Sequence, residues 1–126
     1  MGRPVVHFEV MGQDAAKLHA FFGELFGWSI DANNPINYGI VTREGNTNSA
    51  GVGIGGGVGP MPEGMGPGFV TFYVEVPDVE EALAKAESLG GTRMMGPAEP
   101  MPGLVIGIFA DPEGHPIGLV REGGMG

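Results

Sequence analysis

At 126 residues the chain has the size of one domain and is long enough to build a proper core. Six Lys and Arg against fifteen Asp and Glu leave a formal net charge of −9, which repels phosphate backbones and anionic bilayers and argues against nucleic acid or a membrane surface as a partner. The absence of cysteine removes disulfides, thiolate nucleophiles and cysteine metal sites together, fits a reducing compartment, and makes the cytoplasm the expected address.

The opening MGRPVVHFEV runs directly into strand-like alternation, with no apolar stretch of signal-peptide length. No later stretch approaches the roughly 18 consecutive apolar residues of a membrane span. Over residues 5–10, Val6, Phe8 and Val10 share one strand face, and Val5, His7 and Glu9 share the other. Asp14 then caps an expected helix whose apolar positions are Leu18, Phe21, Phe22, Leu25 and Phe26, and Gly27 stops it. Short strands are expected over 37–43 and 51–55, around the turn Glu44-Gly45-Asn46. The pattern restarts at 69–76, with Val70, Phe72, Val74 and Val76 on one face and Thr71, Tyr73 and Glu75 on the other. Asp78 and Glu81 make a capping box for a second helix, striped by Val79, Ala82, Leu83, Ala86 and Leu89 and ended by Gly90-Gly91. Residues 104–110 and 115–121 read as strands joined by the turn Asp111-Pro112-Glu113-Gly114.

Sliding the chain by 64 positions superposes Val6 on Val70, Phe8 on Phe72, Val10 on Val74, Asp14 on Asp78, Leu25 on Leu89 and Gly27 on Gly91. The same strand, cap, helix face and stop therefore occur twice. This predicts an α+β fold of two βαβββ modules, at about 1–60 and 67–126, within one domain. In each module the helix is expected to cover the sheet face that carries Phe8 or Phe72, leaving the other face for a pocket. Gly51-Val52-Gly53-Ile54-Gly55-Gly56 satisfies G-x-G-x-x-G, but Pro60, Pro62 and Pro67 follow it, so no helix N-terminus is placed to receive a pyrophosphate. The glycines are expected to permit close approach of backbone or ligand, with 56–68 forming a flap surfaced by Met61 and Met65.

The duplicated pattern, with HFEV near the start, LFGW at 25–28 and DPEGHPIGLV at 111–120, resembles the vicinal-oxygen-chelate superfamily over nearly the whole chain. That superfamily includes glyoxalase I, extradiol dioxygenases, methylmalonyl-CoA epimerase and metal-free bleomycin-resistance proteins. The resemblance implies a glyoxalase-like half-barrel and a homodimer. For metal-dependent members it implies one ligand on the first and one on the last strand of each module, usually His or Glu. Here those positions fall on His7, Thr71, Gly53 and Gly118, of which His7 alone offers a ligating side chain. A lone imidazole does not hold a divalent ion, so no metal and no cofactor are expected.

The reading is thus a small-molecule binder with a metal-free pocket lined by His7, Glu9, Tyr38, Gly53, Thr71, Tyr73, Glu75 and Gly118, acting by sequestration or simple acid–base chemistry. His7 and Glu9, on one strand face, are the candidate proton-transfer pair, although His7 also reads as a remnant that only hydrogen-bonds. Tyr73 beside carboxylates suits a flat, neutral or cationic ligand. Trp28 is expected to pack structurally. The alternative is a metal-dependent lyase, isomerase or dioxygenase using His7 with Glu9, Glu75 or His115.

Overall fold

The computed structural model describes residues 2–124. They form eight strands and two helices in the order β1 (Val5–Gly12), α1 (Ala15–Phe26), β2 (Ile30–Asp31), β3 (Gly39–Val41), β4 (Gly55–Pro60), β5 (Gly68–Val76), α2 (Val79–Ser88), β6 (Thr92–Met101), β7 (Leu104–Ala110) and β8 (Pro116–Arg121). The order βαβββ therefore occurs twice. The chain divides into two compact units, one of residues His7–Val70 and one that joins the described residues up to Val6 to those from Thr71 onward. The backbone N–H of Glu75 donates to Pro4 O at 2.9 Å, which ties the N-terminal segment into the second of these.

In the His7–Val70 unit the strand order is β2-β3-β4-β1, with β4 parallel to β1 from His7↔Gly55 to Gly12↔Pro60. Asp14 caps α1 by accepting the Lys17 amide at 3.0 Å, and Gly27 ends it at φ 72°, where a side chain would be strained. The Phe8 face is the one that α1 covers. Phe8, Phe22 and Phe26 all pack on Trp28 with tilted rings whose centroids are 5.0–5.7 Å apart, so Trp28 packs structurally as expected. The helix buries less of its apolar surface than the sequence suggests. Ala15 is buried and Leu18 and Phe22 are half-buried, whereas Phe21, Leu25 and Phe26 face outward.

The segment expected as a strand over 51–55 is a correction, because the strand is β4, four residues further on, and residues 56–60 belong to it and not to a flap. Glycine hides its own register, since alternation is read from side chains that it lacks. Here the alternation is carried by neighbours. A Cβ on Gly56 would strike the Phe8 ring on one face, and a Cβ on Gly57 would strike the Tyr38 ring on the other. The G-x-G-x-x-G motif leads into this strand and no helix follows it.

In the other unit the order is β5-β8-β7-β6, with β5 parallel to β8 and the remaining pairs antiparallel. Asp78 caps α2 through the Glu81 amide at 3.0 Å. Leu83 and Val79 pack with Val76 and Leu119 to form the core, joined by Val74, Val105 and Phe109. A Cβ on Gly107 would lie 2.9 Å from both Leu83 and Val79, so this glycine lets α2 settle closely onto β7. One consequence corrects the expected cover: α2 sits over the Val74–Val76 end of β5, and Phe72 stays 39% exposed. Leu89 lies past the last helical turn and is 70% exposed, outside the stripe assigned to it. The strand β6 was not anticipated. It contains glycine and two prolines and pairs on one side only, with β7, an edge position where missing donors do no harm.

Candidate functional site

In β1 the period of two puts His7 and Glu9 on the face opposite Phe8. Between them the structure places the Tyr38 hydroxyl. It lies 2.9 Å from His7 Nε2 and donates to Glu9 Oε2 at 2.8 Å. A phenol has one proton, and Glu9 receives it. The second bond must therefore run from His7 Nε2–H to the Tyr38 oxygen, which assigns the imidazole proton to Nε2 and gives the relay His7 → Tyr38 → Glu9. Burial pushes the His7 pKa down from 6.5 to about 4, so the ring is neutral at pH 7 and acts as a hydrogen-bond donor without charge. The expected proton-transfer pair is thus a three-residue chain with a phenol in its middle.

Two features hold Tyr38 in place. Asn34 grips its backbone from both sides, with Nδ2 donating to Tyr38 O at 2.7 Å and Oδ1 accepting the Tyr38 amide at 2.9 Å. Asn37 then takes φ 56°, a left-handed conformation that asparagine tolerates, and this aims the next side chain. The ring lies flat over β4, on a platform where Gly57 and Gly59 supply no side chains; a Cβ on Gly59 would approach Tyr38 Cδ1 to 2.7 Å. Asn34 and Gly57 escaped the reading of the sequence. The available signal was the bare alternation Gly55, Gly57, Gly59 opposite a lone tyrosine.

Gly53 does not belong to this site. It lies in the loop before β4, where its carbonyl accepts Arg43 Nε at 3.1 Å, and the strand position it was assigned is held by Gly57. The registers establish the equivalence: Glu9 pairs with Gly57, and its repeat counterpart Tyr73 pairs with Gly118. Both last-strand positions are therefore glycine, and each carries an aromatic ring, since a Cβ on Gly118 would sit 2.6 Å from Tyr73 Cδ2.

In the second unit Tyr73 is buried against Gly118, and Thr71 is also buried, its hydroxyl donating to Pro116 O at 2.6 Å. That bond fastens β5 to β8. Glu75 is half-buried two residues further along β5. His115 lies in the turn before β8 and contacts Asp111, Nδ1 to Oδ2 at 3.0 Å. The His115 and Glu113 amides also donate to Asp111 Oδ1, and together these bonds hold its carboxyl below the usual range.

The donor set does not fit the metal of metal-dependent relatives. Among the described residues no three His, Cys, Asp or Glu side chains gather around one point. His7 and Glu9 share a strand face, but each is engaged with the phenol between them.

The sequence matches a family model described as a glyoxalase-like domain over residues 7–120. No curated protein matches significantly by sequence. Among solved structures the chain is similar to a glyoxalase/bleomycin resistance protein/dioxygenase superfamily member from Vibrio splendidus 12B01, at 16% identity and a TM-score of 0.61, over 96% of this chain and 100% of that one. It is also similar to a Streptomyces coelicolor methylmalonyl-CoA epimerase variant in complex with 2-nitronate-propionyl-CoA, at 17% identity and a TM-score of 0.65, over 98% and 99% of the two chains. A Legionella pneumophila structure described as an NAD-dependent benzaldehyde dehydrogenase matches at 14% identity and a TM-score of 0.63, over 91% and 96%. At such identities the structural likeness speaks for the fold alone. No described helix is long and apolar enough to cross a membrane. The family match covers most of the chain and agrees with the doubled βαβββ order, and the chain belongs to the glyoxalase-like domain family.

Proposed function

We propose that this protein binds a small, neutral or cationic organic molecule through the His7–Tyr38–Glu9 relay, without a metal ion, and in the cytoplasm. The observation that carries the reading is the phenol bonded on both sides, His7 Nε2 at 2.9 Å and Glu9 Oε2 at 2.8 Å. A hydroxyl or ammonium on a ligand donates to the Tyr38 oxygen, whose own proton is held by Glu9. The Glu9 carboxylate, 7% exposed, accepts from an ammonium or hydroxyl and disfavours a second anion beside it. The same chain can pass a proton from ligand to carboxylate through the phenol, so sequestration and acid–base chemistry use one set of atoms. A metal-dependent reading would require His7 and Glu9 to abandon Tyr38 and to recruit further ligands, and no observation favours it.

The test uses three probes of similar shape and different charge: benzylammonium, benzyl alcohol and benzoate. Each is titrated in excess EDTA while the His7 imidazole and Tyr38 ring signals are followed by NMR. The expected result is saturable perturbation by the first two, little by benzoate, and loss of both responses in Tyr38→Phe. Preference for benzoate, or responses that EDTA abolishes, overturns the proposal.

A further inference from the structure

The helix α2 stands off part of its own sheet. Between them lies a groove of about 500 Å³, walled by Ala82, Ala86 and Leu89 and floored by Val76, Phe109 and Leu119. The repeat explains why it is open. At the equivalent positions 64 residues earlier, α1 carries Leu18 where α2 has Ala82, and Phe22 where α2 has Ala86. Phe26 and Trp28, whose rings pack with Phe22, are answered by Gly90 and Thr92. One module thus fills the space beside its helix with large side chains of its own, and the other holds small residues there. What remains is apolar. Leu89 stands 70% exposed at the edge of the groove, and among the described residues no buried side-chain polar atom lacks a partner, so the floor offers a ligand nothing but hydrocarbon and the Phe109 ring.

The rim decides what can enter. The Asp78 carboxylate is engaged by the Glu81 amide, Asp111 by the amides of Glu113 and His115, and Arg3 reaches Glu122 at 4.0 Å. That leaves Glu81 and Lys85, both exposed on the groove side of α2 and one helical turn apart. Among the described residues neither makes an ion pair with the other or with a third side chain. An anion and a cation standing side by side above an aromatic floor complement a ligand that bears both charges on one carbon beside a ring. We infer that this groove binds an aromatic amino acid, its ring against Phe109 in space equivalent to that filled by Leu18 and Phe22 in the first module, its ammonium toward Glu81 and its carboxylate toward Lys85. A ligand with a single charge would satisfy one of these side chains and bring a like charge beside the other, and a simple carboxylate also meets the repulsion of a chain that carries −9. The groove is open to solvent, so binding is weak, with a dissociation constant on the order of 1 mM.

None of these residues belongs to the His7–Tyr38–Glu9 relay, and the inference stands apart from the proposed function. L-phenylalanine is titrated into the full chain to about 20 mM while the Phe109 ring and the Ala82 and Ala86 methyl signals are followed by NMR, and saturable shifts of these signals are expected. L-alanine, with the same head group and no ring, should leave them unmoved. The probes 3-phenylpropionate and 2-phenylethylammonium, each lacking one charge, should bind about threefold to fivefold more weakly than L-phenylalanine. Ala86→Phe and Ala82→Leu give α2 the residues that α1 has at these positions, and each should weaken binding at least about tenfold by filling the groove. Circular dichroism shows which variants are folded, and Ala82→Leu, the smaller addition, decides the matter if Ala86→Phe is not. Lys85→Gln should erase the preference for L-phenylalanine over 2-phenylethylammonium. Absence of saturable shifts, L-alanine acting as well as L-phenylalanine, equal affinity for the aromatic probes, a preference that survives Lys85→Gln, or undiminished binding by the folded filled variants overturns the inference.

Discussion

Tyr38 is the residue on which the site turns, because it satisfies a buried carboxylate and an imidazole with one hydroxyl. Replacing it with Phe keeps the ring on its glycine platform and removes the bridge. Removing one hydrogen-bond partner of a buried acceptor costs stability, so Tyr38→Phe is expected to destabilise the fold by about 1–3 kcal/mol in urea denaturation. A loss near zero would show that Glu9 is adequately served without the phenol. Gly57→Ala probes the other side of the same ring. The added methyl would overlap Tyr38 Oη and Cζ, so the ring must lift off β4, and NMR should show the His7 and Tyr38 signals shifted with a stability loss of about 1–3 kcal/mol. Ala at Gly45, where no atom lies within 4 Å of the added methyl but φ is 83°, serves as a control for backbone strain alone.

At the scale of elements, the two helices start from the same device, an aspartate accepting the amide three residues on at 3.0 Å in each case. Asp14→Ala and Asp78→Ala should therefore each cost about 1 kcal/mol in the same thermal or urea assay, and a much smaller loss at either would mean that tertiary packing alone sets that helix boundary. These caps were legible in advance together with β1 and β5, which the repeat shows twice, and with β7 and β8, which flank the turn Asp111-Pro112-Glu113-Gly114, because alternation, capping and turn chemistry are properties of side chains that stand next to one another in sequence. Where the side chain is missing or the partner is distant, the sequence is mute. The strand β4 was displaced by four residues because a run of glycines has no polarity to alternate, and its register becomes visible only when Phe8 and Tyr38 are laid across it. Likewise His7 and Glu9 could be placed on one face from their spacing, but the phenol joining them comes from 29 residues beyond Glu9 and is aimed by the Asn34 clamp. The stripe on α1 was overread for a different reason. Apolar spacing says which residues can face a core, and the structure gives that core only the Ala15, Leu18 and Phe22 side.

For the whole molecule, burying a neutral histidine couples folding to pH. His7 has a folded pKa of about 4 against 6.5 when unperturbed, so between these values the unfolded chain binds a proton that the folded chain refuses. Stability from this group is complete above pH 6.5, falls as pH drops toward 4, and changes no further below that. The gap corresponds to at most about 3–4 kcal/mol, and since the ring is only partly buried an observed loss of about 1–2 kcal/mol between pH 7 and pH 4.5 is expected. Other groups also titrate as acid is added, notably Asp111 and Glu80, whose carboxyls are held low by His115 and by Arg93 respectively. Their contributions are lost as pH falls below their ordinary carboxylate values and are common to any His7 variant, so a difference measurement isolates His7. His7→Gln supplies the comparison, because its side-chain amide can still donate to Tyr38 Oη while carrying no titratable proton. Urea unfolding of both proteins at pH 7 and pH 4.5 should show the native chain losing about 1–2 kcal/mol more than the variant. Parallel losses in the two proteins would mean that His7 takes up its proton in the folded state near the ordinary value, and the Nε2–H assignment, which depends on a neutral ring, would have to be replaced by an imidazolium donating to the phenol.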